Sequence, residues 1–221
     1  MSNLINFYSQ LKRTQTHNPY KDVHMIDLPF RGLINCASGG GKSNLTVNIL
    51  YEMHNTFHKI IIVSKSSEPL YDYLLDKLKN VSIHYEGNVP DIERLEDGHN
   101  GLIIFDDMVL TKNNKIGEMF IRGRKWIQPG AKSGGYSCIY ISQSFFGTPK
   151  IVRQNVGYVW LGHGMSKRDL RLILSEFAMG LSVDELEQLY NDLTRTKMNF
   201  MMIDKLGRNI RQNIKEIVVE F

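Results

Sequence analysis

The segment Ile34-Asn35-Cys36-Ala37-Ser38-Gly39-Gly40-Gly41-Lys42-Ser43 constrains this chain more than any other. A short apolar run precedes it, and Leu45, Ile49, Met53 and Phe57 follow at i+4 spacing, so it reads as a strand, a glycine-rich turn and the opening of an amphipathic helix. Glycines let successive backbone N–H groups turn toward one anion, and the helix N-terminus adds the positive end of its dipole. This is the pattern of a Walker A loop. Ser38, Gly39, Gly40, Gly41, Lys42, Ser43 and the adjoining Asn44 would surround the phosphates of a nucleotide such as ATP, Lys42 bridging the β and γ phosphates and the Ser43 hydroxyl ligating Mg²⁺. Cys36 stands where GxxxxGK[ST] has its first glycine; cysteine lacks glycine's access to positive φ, which predicts an altered start to the loop.

The rest of the chain has the composition of a globular protein. Its 221 residues are 42% hydrophobic and 23% charged, which excludes a disordered, collagenous or coiled-coil chain. The net charge of +4 is mild, so any nucleic-acid footprint must be local. No run approaches the roughly 18 apolar residues of a membrane span, and Met1 to Gln15 lacks the apolar centre of a secretory signal, so no membrane partner is expected. Two cysteines, Cys36 and Cys138, cannot build a disulfide framework and are read as thiols in a reducing compartment.

Apolar runs rich in β-branched residues alternate with amphipathic stretches, the mark of an α/β domain. Strands are predicted at Phe30 to Asn35, Lys59 to Ser64, Val81 to Tyr85, Gly101 to Asp106, Tyr136 to Ser142, Gly157 to Leu161 and Met198 to Ile203. Continuous apolar runs such as IIIV suggest strands covered on both faces, as in parallel sheets. Ser166 and Ser182 each open a Ser-x-x-acid pattern that predicts a capped helix. The turn-like Lys205-Leu206-Gly207-Arg208, with a β-rich end after it, predicts a hairpin at the sheet edge. The expected organisation is one domain over 1–221: an N-terminal extension at 1–28, a nucleotide-binding core at 29–165, and a helical pair plus β-rich tail at 166–221.

The run Leu102-Ile103-Ile104-Phe105-Asp106-Asp107 is an apolar strand ending in two carboxylates, a Walker B pattern. Asp106 would hold the Mg²⁺ shell, and Asp107 stands where a water-polarising carboxylate is needed. Gln143 ends the next strand, where a polar amide at a parallel strand's carboxyl end faces the ligand crevice; it is a candidate sensor of γ-phosphate and water, or a plain turn residue. Between Lys112 and Lys132, six basic residues face one acid, giving +5, and Lys205 to Lys215 adds +4. These windows suit a phosphate backbone, or are solvated helix faces.

Walker A, the Asp-Asp Walker B, Phe120-Ile121-Arg122-Gly123-Arg124-Lys125, Tyr140-Ile141-Ser142-Gln143-Ser144 and Thr148-Pro149-Lys150-Ile151-Val152-Arg153-Gln154-Asn155 occur in that order. In this combination, spanning Phe30 to Leu161, the chain resembles the viral genome-packaging ATPases of the poxvirus-like branch of the FtsK/HerA superfamily, in a virophage-like small form. The resemblance implies a RecA-like P-loop fold, a mostly parallel sheet flanked by helices, with the Gln143 strand between the Walker A and Walker B strands. It also implies ATP and Mg²⁺ as cofactors and a homo-oligomeric ring that moves double-stranded DNA into a capsid, at sites of virion assembly in the host cytoplasm. Arg122, Arg124 and Arg153 are its candidates for an arginine finger. Where that family has Gly-Arg-His this chain has Gly123-Arg124-Lys125, and Gln128 to Gly135 is an additional loop. A P-loop kinase of small molecules or nucleosides is the alternative, since it shares the phosphate cradle.

Overall fold

The computed structural model describes residues 5, 7, 16–95, 99–108, 114–123 and 134–221. Its framework is a nine-stranded sheet in the order β3-β2-β4-β5-β1-β6-β7-β8-β9. The strands are β1 (Arg31–Asn35), β2 (Lys59–Ser64), β3 (Val81–His84), β4 (Asn100–Asp106), β5 (Gly135–Ser142), β6 (Tyr158–Gly162), β7 (Phe200–Asp204), β8 (Asn209–Gln212) and β9 (Glu216–Glu220). The first six pair in parallel, and β6 to β9 pair antiparallel. The β5 strand, which ends before Gln143, lies between β4 and β1, as the resemblance implies.

Helices cover both faces, and the period-two alternation of each strand divides its apolar residues between them. Leu33, Ile103, Tyr140 and Val159 face one layer, packed with residues of α4 (Asn114–Arg122), α5 (Lys150–Asn155), α6 (Lys167–Glu176) and α7 (Val183–Leu193). Their neighbours Ile34, Ile104, Ile139 and Trp160 face the other, against α2 (Lys42–Glu52) and α3 (Pro69–Lys77). A single turn, α1 (Lys21–His24), precedes the sheet. Burying both faces is what makes the central runs apolar without interruption.

Local signals place the element ends. The Ser166 side chain accepts from the Asp169 N–H, and Ser182 with Glu185 forms a reciprocal capping box. The apolar stripe expected to run to Phe57 is shorter as a helix. α2 stops at Glu52 and Asn55 turns left-handed at φ 59°, while Phe57 reaches the same core from the connection to β2. The strand expected from Met198 begins instead at Phe200, because Met198 is left-handed, at φ 77°.

The tail is more than a hairpin. Asp204 Oδ1 accepts from the backbone N–H groups of Leu206 and Gly207 and closes the β7–β8 turn, and β9 then extends the meander by one strand. Arg211, read from sequence as part of a basic window, is 1% exposed and paired with buried Asp204. Its guanidinium also donates to the carbonyls of His24, Met25 and Ile214, tying the N-terminal segment to the sheet.

Candidate active site

The loop from Cys36 to Gly41 leaves the carboxyl end of β1 and opens directly into α2. Gly39 and Gly41 are left-handed at φ 69° and 94°, positions that favour glycine. Cys36 is not among the left-handed residues, so the first Walker A position demands no positive φ here and cysteine fits without altering the turn. Its thiol occupies room that two glycines leave: a Cβ at Gly40 would lie 2.1 Å from Cys36 Sγ, and one at Gly162 would lie 2.6 Å from it. Burial pushes the Cys36 thiol above its usual range, with Lys42 pulling weakly the other way, so this is a packing group and not a reactive thiolate.

No side chain caps α2, and its first turn has no acid, which leaves the N–H groups of that turn for an anion. Lys42 Nζ donates to the carbonyls of Cys36 at 3.2 Å and Ala37 at 3.0 Å, bending across the loop that the phosphates would enter. Ser38, Gly39, Gly41, Lys42, Ser43 and Asn44 line one side of a cleft of about 390 Å³. Asp106, Asp107 and Gln143 line it too, from the tips of β4 and β5. Walker A, Walker B and the β5 tip thus converge, because parallel strands deliver their carboxyl ends to one edge of the sheet.

The two carboxylates are not equivalent. Asp106 is half-buried and its Oδ2 accepts from the Tyr71 hydroxyl at 2.8 Å. Burial raises its pKa and the charges of Asp107 and Glu68 add to that, while the Tyr71 hydrogen bond and Lys42 oppose it. Asp107 is exposed and left-handed at φ 51°, its N–H bonded to the Ile141 carbonyl, so the chain turns sharply and presents its carboxylate at the cleft. Among the described residues no group of three or more His, Cys, Asp or Glu side chains could hold a metal ion. Ser43 and Asp106 both line the cleft, and their oxygens are the hard donors that could hold Mg²⁺ together with phosphate oxygens.

Sequence reasoning missed Glu68, Tyr71 and Met198. Glu68 and Met198 line the cleft, and Tyr71 holds Asp106 from α3. The sequence held only a local signal for the first two, Ser66-Ser67-Glu68-Pro69 as a strand-to-helix turn after β2; that β2 neighbours β4, which brings this turn to the cleft, is decided by the sheet.

Arg122 and Arg153 are not among the residues that line the cleft. Arg122 ends α4 and is bound by Glu118 and Glu93. The following Gly123 carbonyl accepts from the Tyr136 N–H at the amino end of β5, so Arg122 lies about 20 Å, a strand length, from the Walker A edge. Arg153 packs over the Phe145 ring and pairs with Glu176. Arg124 lies outside the described residues, as do Lys112, Lys125, Lys132 and most of the Gln128 to Gly135 loop. In the basic windows Lys115 pairs with Asp91 and Lys215 with Glu52, which narrows the positive field read from sequence.

No family model and no curated protein matches this chain in sequence. Among solved structures it is similar to the genome-packaging NTPase B204 of Sulfolobus turreted icosahedral virus 2 in complex with AMPPCP, with a TM-score of 0.57 at 16% identity, covering 87% of this chain and 100% of that one. The chain has a P-loop NTPase fold. The cytoplasmic domain of the Thermomonospora curvata type VII secretion ATPase EccC gives a TM-score of 0.57 at 13% identity, over 85% of this chain and 25% of that one. The pCW3 conjugation coupling protein TcpA, with ATPγS, gives 0.52 at 14% over 86% and 62%. No helix among the described residues is long and apolar enough to cross a membrane.

Proposed function

We propose that this P-loop NTPase hydrolyses ATP with Mg²⁺ and, as a homo-oligomeric ring, drives double-stranded DNA into a viral capsid. One observation carries the reading: the cleft puts a phosphate loop opposite an exposed carboxylate, Asp107, and an amide, Gln143, on adjacent strand tips. That arrangement suits in-line attack by water on a γ-phosphoryl group. Lys42 and the α2 N-terminus stabilise the charge that develops on the transferred group, Asp107 accepts the water's proton, and Gln143 orients the water, while Asp106 and Ser43 would hold Mg²⁺, which would neutralise phosphate charge. The similarity to B204, over the whole of that packaging NTPase, supports the assignment to genome packaging. Arg208 and the basic residues near α4 would meet the DNA backbone without reading sequence. A capsid component would be the docking partner, at virion assembly sites in the host cytoplasm.

The test is ATP turnover with and without double-stranded DNA over a series of protein concentrations and salt. Turnover per chain should rise with concentration as rings form, rise again with DNA of unrelated sequences, and lose the DNA effect as salt increases. Lys42→Ala should lose nearly all turnover while keeping its fold. Turnover that depends on a nucleoside acceptor, with DNA inert, would establish a kinase instead.

A further inference from the structure

A second cleft, of about 350 Å³, adjoins the first, and Asn44 and Met198 line both. Its other walls are Leu45, Asn48 and Glu52 of α2 and the segment from Gln212 to Glu216. We infer that this second cleft seats the nucleoside of the substrate nucleotide, with the Met198 thioether packed on the base or ribose at the boundary between them. The inference rests on the nucleotide reading of the first cleft and assigns the part of the ligand that the phosphate loop does not.

Direction makes the case. Asp106, Asp107 and Gln143 mark the end of the first cleft where the terminal phosphate must react. Asn44 and Met198 mark the boundary it shares with the second cleft. A triphosphate laid along Gly39 to Ser43 with its γ end at the carboxylates therefore directs its esterified end past Asn44 and Met198.

Met198 is unusual in the way a ligand-contacting residue is. It is a large apolar side chain, 46% exposed, on a left-handed backbone that methionine rarely adopts. It sits on the last glycine of the phosphate loop, where a Cβ on Gly41 would fall 2.5 Å from Met198 Sδ. The strain is held by its surroundings: the Asn199 N–H bonds the Thr196 carbonyl, and the Phe200 N–H bonds Asn213 Oδ1. Asn213, on the wall of the second cleft, is also left-handed, at φ 57°, and its carbonyl accepts from Trp160 Nε1. The Asn213 side chain accepts from the Phe200 N–H and donates to Asn199 Oδ1, so it fixes the two residues that follow Met198, and Met198 and Asn213 both line this cleft. A polarisable thioether against a heteroaromatic ring is a favourable contact in its own right, and the amides of Asn48 and Gln212 give the same cleft polar edges.

Calorimetric titration of the full chain with ATP and, separately, with inorganic tripolyphosphate tests the inference. Met198→Ala and Met198→Gly should each weaken ATP about 10-fold, the affinity of one buried apolar group, and leave tripolyphosphate within about 2-fold. Glycine removes the side chain and relieves the left-handed strain, so it separates loss of contact from loss of fold. Met198→Leu should hold ATP within about 3-fold, since the apolar contact is kept. ATP affinity unchanged in both truncations overturns the inference, as does equal weakening of the two ligands, which would make Met198 a support for the loop alone. If the wild-type chain binds neither ligand, or Lys42→Ala leaves tripolyphosphate binding intact, the nucleotide reading itself fails.

Discussion

The Tyr71 hydroxyl donates a 2.8 Å hydrogen bond to Asp106 Oδ2 across 35 residues of sequence. Tyr71 is fully buried on α3, so its hydroxyl has a fixed position and engages one oxygen of Asp106, which lines the cleft. Partners of this kind orient a metal ligand, and losing one commonly costs about 10-fold to 100-fold in metal affinity. Tyr71→Phe keeps the ring in the core and should therefore raise the Mg²⁺ concentration for half-maximal ATPase activity by about that factor, with turnover at saturating Mg²⁺ restored to a large extent. A Mg²⁺ titration checks it; an unchanged midpoint would remove Tyr71 from the site.

Glu68, Asp106 and Asp107 line the cleft, and they should separate by substitution. Asp107→Asn retains size and hydrogen bonding but cannot take a proton, so hydrolysis should fall by roughly 10² or more while ATP·Mg²⁺ binding stays within a few fold. Asp106→Asn should weaken metal and nucleotide binding together. Should Asp107→Asn turn over at the native rate while Glu68→Gln does not, the base is Glu68. Glu118, the next acid along the chain after Asp107, is bound to Arg122 on α4.

Arg122 lies a strand length from its own cleft, so it can complete a site only on a neighbouring chain. Mixing an Arg122→Ala/Arg124→Ala chain with a Lys42→Ala chain should recover part of the lost activity, because some interfaces then combine an intact loop with an intact arginine. Mixed rings whose activity equals the sum of the two parents would exclude both arginines as fingers and leave Arg153.

His24 should make stability depend on acid. It is fully buried, its Nδ1 accepting from the Ile26 N–H and its Nε2 facing Asn18 Oδ1. Burial lowers its pKa from 6.5 to about 4, with Arg211 lowering it further and Glu52 and Asp27 opposing. The unfolded chain therefore takes up the proton first as pH falls. Stability is intact above pH 6.5 and declines from there toward pH 4, by roughly 3 kcal/mol in all. Melting curves at pH 7 and pH 5 should show this decline in the wild-type chain and a flatter response in His24→Gln.

Elements whose signals are local can be read directly from the sequence. Gly39, Gly41, Lys42 and Ser43 define the glycine-rich loop because a tight turn and a bare helix N-terminus are properties of adjacent residues. The strands with unbroken apolar runs, the caps at Ser166 and Ser182, and the Asp106-Asp107 tip follow from the same short-range rules. The position of the Gln143 strand came from resemblance and not from periodicity, which carries no information on strand order.

What tertiary structure alone decided involves groups far apart in the chain. The charge of Arg211 counts toward a basic surface in sequence, yet burial against Asp204 and three backbone carbonyls makes it a structural tie. Glu68 and Tyr71 belong to the site only because β2 lies beside β4, which carries α3 to Asp106. Met198 reads as the first residue of a strand, and the hydrogen bonds around it turn its backbone left-handed and set its side chain over Gly41. Composition and spacing determine which residues can form a loop, a strand or a cap. Which remote side chains share a cleft depends on strand order and packing, because those contacts join residues that no local pattern connects.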